Sequence, residues 1–93
     1  MFTSDQQILK LPEVLISKGI ISGTAEFFEE TGILKSYFSQ VKNQEKYDRP
    51  KHFTPAQIEK TCLLYSVNFN WVFGVSKDIF VKKDKRKTEE IEY

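Results

Sequence analysis

The chain has 93 residues and a formal net charge of +1; 40% of its residues are apolar, and its aromatic residues are eight Phe, four Tyr and one Trp. A chain of this length holds a single core and buries only about 60 to 65% of its unfolded surface, which excludes a multidomain architecture. No apolar run approaches a membrane span, and the near-neutral total is far from that of a strongly basic nucleic-acid binder.

The opening MFTSDQQILKLPE lacks the basic stretch, apolar core and small-residue cleavage site of a secretory signal. A single cysteine, Cys62, cannot form an internal disulfide, so nothing asks for an oxidising compartment and the expected location is the cytoplasm. Ser4-Asp5-Gln6-Gln7 has a capping-box pattern, but Pro12 lacks an amide donor and would clash with the Ile8 carbonyl inside a continuous helix. The first helix is therefore expected either to kink or to start firmly at Pro12 and run to Lys18, closed by Gly19.

Ser22 and Gly23 open a second short helix, TAEFFEET, with Phe27 and Phe28 inward and Glu26, Glu29 and Glu30 in water. Gly32 ends it. A third helix starts at Leu34 or Lys35; Phe38 and Val41 share its inner face, Ile33 plugs the turn, and Lys35, Ser36, Ser39, Gln40 and Asn43 form the outer face. Residues 43 to 53 have no helical period and contain Pro50, which predicts a loop. Thr54-Pro55-Ala56-Gln57 is the strongest helix start in the chain, with Ile58, Thr61, Cys62 and Tyr65 on the inner stripe that follows. VNFNWVFG, residues 67 to 74, predicts a last short helix capped by Asn68 or Asn70 and stopped by Gly74; residues 79 to 81 read as extended. Residues 1 to 81 thus form one all-α, five-helix domain, and residues 82 to 93, too charged to pack, form a mobile tail.

Two short helices joined by a tight glycine turn are the architecture of the helix-turn-helix, whose second helix enters the DNA major groove. Gly32 supplies the turn, Phe27, Ile33, Phe38 and Val41 supply the lock, and the outer face offers groups that match base edges. AEFFEETGILKSYFSQVKN resembles the helix-turn-helix of the lambda-repressor-like (Cro/C1-type, XRE) DNA-binding domains, and VNFNWVFG resembles an ending common in small regulators of that family of the Bacteroidetes type. The resemblance spans about residues 8 to 80 and implies a compact five-helix lambda-repressor-like fold. It also implies base reading by Lys35, Ser36, Ser39 and Gln40, and phosphate contacts from Thr24 and Asn43. The pattern departs from the family at Phe28, where a compact residue is usual, at Thr31, usually aliphatic, and at Leu34, usually a Ser or Thr cap.

Lys42, Lys46, Arg49 and Lys51 outnumber Glu45 and Asp48 beyond the outer face, and Lys42 and Lys46 are further candidates for phosphate contact. Trp71, Phe73, Ile79 and Phe80 are expected to contribute to a homodimer interface, because so small a domain has difficulty burying an aromatic-rich ending; the plain alternative for Trp71 is the core. His52 reads as a surface loop residue and Cys62 as an inert buried thiol. No zinc set, nucleophile and base pair or phosphate-cradling glycine loop can be assembled, so neither an enzyme nor a cofactor is expected. The expected partner is a double-stranded DNA operator read by a homodimeric repressor. The rival is a protein-interaction or antitoxin-like module that binds a protein partner through the aromatic ending.

Overall fold

The computed structural model describes residues 1–81, which form five α-helices: α1 (Thr3–Ser17), α2 (Thr24–Thr31), α3 (Lys35–Lys42), α4 (Pro55–Tyr65) and α5 (Phe69–Val72). A single 3-10 turn, Gln44–Lys46, follows α3. The architecture is all-α; among the described residues the sole extended pairing is an isolated antiparallel bridge between Val67 and Phe80. The charged segment 82–93, expected to be a mobile tail, lies outside the described residues.

Of the two forms expected for the first helix, the start at Pro12 is not observed. Nor is the helix capped by Ser4: it is one helix of 15 residues, preceded by Phe2, with no side-chain cap and with Pro12 inside it. Pro12 removes the hydrogen bond that the Ile8 carbonyl would accept. In return it occupies a buried position on the stripe formed by Asp5, Ile8, Leu11 and Leu15. The helix ends where Gly19 takes a φ of 73°, and the Ile20 N–H donates back to the Leu15 carbonyl at 2.9 Å.

The fourth helix forms as its local chemistry dictates. Gln57 N–H donates to Thr54 Oγ1 at 3.1 Å and Thr54 N–H donates to Gln57 Oε1 at 2.9 Å, a reciprocal box that satisfies two amides at the helix start. Ile58, Thr61, Cys62 and Tyr65 are all buried on its inner side. Asn68, and not Asn70, caps α5: its side chain accepts the Asn70 N–H at 3.0 Å. Residues 79–81 run back beside residues 66–68, with Asn68 N–H donating to the Ile79 carbonyl at 2.7 Å and Val81 N–H to the Ser66 carbonyl at 2.8 Å.

Helix α1 is the centre of the packing. It lies against α2, α3 and α5, while α4 packs on α2. Leu11, Leu15, Phe27, Val41 and Val72 have no exposed surface. Trp71 belongs to this core at 7% exposure, which is the alternative expected for it beside a place at a homodimer interface. Its residue is also tied to α1 through the backbone, where Gln7 Nε2 donates to the Trp71 carbonyl at 3.2 Å.

Cys62 is buried in the same core, and burial pushes its thiol up from 9.0 to about 11. The folded chain therefore holds the proton more tightly than the unfolded chain. The stabilisation is complete below pH 9.0 and is lost as pH rises through about 11. Urea titrations across that window should show falling stability, with a shallower fall in Cys62→Ala; an equal fall in both would assign the effect to other groups.

Candidate nucleic-acid interface

Helices α2 and α3 are joined by Gly32, Ile33 and Leu34, and each of the first two has a clear task. Gly32 has a φ of 76°, a conformation costly for residues with a Cβ, and its N–H donates to the Phe28 carbonyl at 3.0 Å. Ile33 is buried and anchors the turn from below. Thr31, an unusual residue for the resembled motif, proves useful here: its hydroxyl donates to the Phe27 carbonyl at 2.8 Å and accepts the Ile33 N–H at 3.2 Å. A buried aliphatic side chain at that position would leave the Ile33 amide without this partner.

Three phenyl rings lock the two helices. Phe27 and Phe38 meet edge to face with centroids 6.0 Å apart, and Phe28 meets Phe38 in the same manner at 5.2 Å. Phe28 is half-buried against Phe27 and Phe38, so the large residue at this position adds to the lock. From α4, the Tyr65 hydroxyl donates to Glu30 Oε1 at 2.6 Å. Burial first, and then this carboxylate, raise the hydroxyl well above the usual phenol range.

The lock fixes which side of α3 faces outward. Tyr37, Phe38 and Val41 point inward, Val41 fully and the two rings partly. Lys35, Ser36, Ser39 and Asn43 are exposed, with Lys35, Ser39 and Asn43 one turn apart along one face. Gln40 lies at the border of that face and is half-buried. Asn43 is partly committed to its own helix, since its Nδ2 donates to the Ser39 carbonyl at 3.0 Å; its carbonyl oxygen makes no such bond to that helix. Leu34 precedes α3 in an extended conformation and supplies no side-chain cap.

The phosphate candidates surround this face in sequence. Thr24 is exposed at the first position of α2, which also begins without a side-chain cap at Gly23. Glu26 instead holds the approach to the helix, accepting from the Ser22 N–H at 2.9 Å and the Ser22 hydroxyl at 3.0 Å. Lys42 ends α3, and Lys46 follows in the 3-10 turn; both are exposed. In the expected dimer set, Phe73 is 56% exposed, whereas Ile79 and Phe80 are half-buried against the core.

Two features near the face have no local sequence signal. Lys60, on α4, brings its Nζ to 3.5 Å from where a Cβ on Gly32 would sit, placing a cation beside the C-terminus of α2, where the helix dipole favours one. His52 is not a plain surface residue: its Nδ1 lies 2.6 Å from Asp5 Oδ2, and the Phe2 ring stacks on it at 4.2 Å. Among the described residues, no three His, Cys, Asp or Glu side chains are placed to hold a metal ion. No helix there is long and apolar enough to cross a membrane. Comparison with protein families, curated proteins and solved structures gives no match to this chain.

Proposed function

We propose that the chain is a sequence-specific duplex-DNA-binding transcriptional regulator, a repressor acting as a homodimer, of the lambda-repressor-like class. The observation that carries this reading is the α2–Gly32–α3 unit, which is locked internally by aromatic rings and leaves Lys35, Ser36 and Ser39 exposed on one side of the second helix. Lys donates to guanine O6 and N7, Gln bonds adenine through two atoms, and Ser serves either. In the proposed complex α3 lies in the major groove, where Lys35, Ser36, Ser39 and Gln40 read bases while Thr24, Lys42, Asn43 and Lys46 hold phosphates and set register. Two such helices in a dimer would enter grooves about 34 Å apart on a two-fold operator.

A separation of effects tests the assignment. Gln40→Ala is expected to weaken binding to the preferred duplex by about 1 to 3 kcal/mol and to relax preference at one base pair. Lys46→Ala should weaken binding to all duplexes alike and reduce the salt slope by about 1. Fluorescence anisotropy on preferred and scrambled duplexes distinguishes the two; equal losses on every sequence for both variants would remove Gln40 from the reading set.

A second reading is favoured by one specific observation. Phe69, at the start of α5, and Phe73, just past its end, are 42% and 56% exposed, and Val75, two residues on, is 77% exposed. Exposed apolar side chains this close in sequence suit a protein partner. The same surface serves either a second copy of the chain, as in the dimeric repressor, or a different protein, as in an antitoxin-like module. Sedimentation of the purified chain separates these, since self-association that Phe73→Ser abolishes belongs to the first.

A further inference from the structure

Both ends of the segment after α3 converge on one buried carboxylate. Asp5, in the first turn of α1, has no exposed surface. Its Oδ1 accepts the Phe53 N–H at 3.0 Å, and its Oδ2 lies 2.6 Å from His52 Nδ1 and 3.4 Å from Gln44 Nε2. The Asp5 oxygens accept from the Phe53 and Gln44 N–H groups, and in the tautomer with the His52 proton on Nδ1 they accept from the imidazole as well. Gln44 Nε2 also donates to the Val41 carbonyl at 3.0 Å and reaches the Lys51 carbonyl at 3.4 Å. Residue 44 and residues 51 to 53 are thereby drawn together, and residues 45 to 50 between them, like Lys51 itself, are all exposed.

An isolated buried carboxylate is unfavourable, and an apolar side chain of similar size would fill the same space. What the carboxylate adds is direction, because its oxygens fix particular donors from both ends of the loop. The span so fixed carries Lys46, Arg49 and Lys51 beside the exposed Tyr47, and begins just past the C-terminus of α3. Its far end is also tied to α3: the Tyr37 hydroxyl donates to the His52 carbonyl, and Lys51 Nζ lies over the Tyr37 ring at 5.3 Å. The Lys51 ammonium is thereby held against α3.

We propose that Asp5 is a positioning residue for DNA: through His52 and Gln44 it holds loop 45–51 as a second contact element that grips phosphates flanking the groove entered by α3. The proposal rests on α3 reading duplex DNA. Asp5 touches no nucleic acid itself. A loop held in advance keeps its cations beside α3 before binding, whereas a released loop must be ordered at the moment of binding. Because the contacts are to phosphates, their loss appears in the salt dependence and leaves the preferred sequence intact.

The test measures anisotropy on the duplex that the full chain itself selects, at several salt concentrations, with thermal melts to establish that each variant is folded. His52→Ala is expected to reduce affinity about tenfold at about 0.1 M salt and to lower the salt slope by about 1 to 2, with an unchanged selected sequence. His52→Asn, whose amide places a donor near the position of Nδ1, should restore most of the loss. In a background with Lys46, Arg49 and Lys51 all changed to Ala, His52→Ala should have no further effect on binding. A folded His52→Ala with wild-type affinity and slope overturns the proposal, as does an equal loss in the charge-removed background, which would place the effect in the fold. If His52→Ala does not fold, Gln44→Ala is read by the same criteria. Failure of the wild-type chain to select any duplex is a different result: it removes the DNA reading of α3, and this proposal with it.

Discussion

Phe27→Ala is expected to cost about 3 to 5 kcal/mol, the upper range for truncating one buried side chain. The ring has no exposed surface and stands where three helices meet. It contacts Phe28 and Phe38 edge to face, with centroids at 5.8 and 6.0 Å, and stacks on Tyr65 from α4 at 6.1 Å. Its removal leaves a cavity between α2, α3 and α4 that short helices with several fixed contacts cannot close by collapse. Small domains have a total stability of roughly 5 to 15 kcal/mol, so the variant should be close to unfolding at room temperature. Urea denaturation followed by circular dichroism checks this, with Phe28→Ala as the comparison. Phe28 is half-buried and should cost clearly less; equal losses would mean that Phe27 is not the centre of the lock.

The second large effect is expected at Asp5. Replacement by Ala leaves the Phe53 N–H, His52 Nδ1–H and one Gln44 contact without their acceptor, and the Phe53 amide and Gln44 side chain are buried. Orphaned buried donors cost about 1 to 3 kcal/mol each, while the half-exposed His52 can turn to water at smaller cost. A loss of about 3 kcal/mol is the expected total. Asp5→Asn keeps one acceptor oxygen but directs an amide donor at groups that also donate, so it should fall between wild type and Ala. Chemical denaturation of both variants gives the order, and a double-mutant cycle with His52→Ala isolates the pair. An Asp5→Ala variant as stable as wild type would mean that water replaces the carboxylate without loss.

These two residues differ in how far the sequence reveals them. Phe27 lies on a helix bounded by Gly23 and Gly32, and its inward direction follows from helical spacing alone. The same holds for the Thr54–Gln57 box, for the inner stripe of α4 and for the left-handed Gly32, each of which depends on residues within four positions of one another. Asp5 has its partners 39, 47 and 48 positions away. Nothing local separates it from a solvated first-turn acid, and within SDQQ it looks like part of a cap. His52 is read as a surface residue for the same reason.

Pro12 illustrates a different limit. Its local cost is legible, but the core that accepts its ring comes from other helices, and tertiary packing carries α1 through it. Trp71 is the converse case: an aromatic-rich ending suggests surplus apolar surface, yet the indole is buried in the core while Phe69 and Phe73 stay outside. At the candidate interface, the outward face of α3 follows from the sequence, except that Gln40 is at its border and half-buried. Lys60 beside Gly32 and Lys51 over Tyr37 come from distant or loop segments, and spacing cannot place them.

The most direct measurement is selection by the purified chain from a random duplex pool at about 150 mM salt, where unspecific phosphate binding is weak. Enrichment of a two-fold symmetric motif, blurred at one base pair by Gln40→Ala, is the expected result and would establish α3 as the reading helix of a dimer. A pool that returns without enrichment, from a chain that melts cooperatively, would contradict DNA reading and turn attention to the exposed Phe69 and Phe73 as the contact for a protein partner.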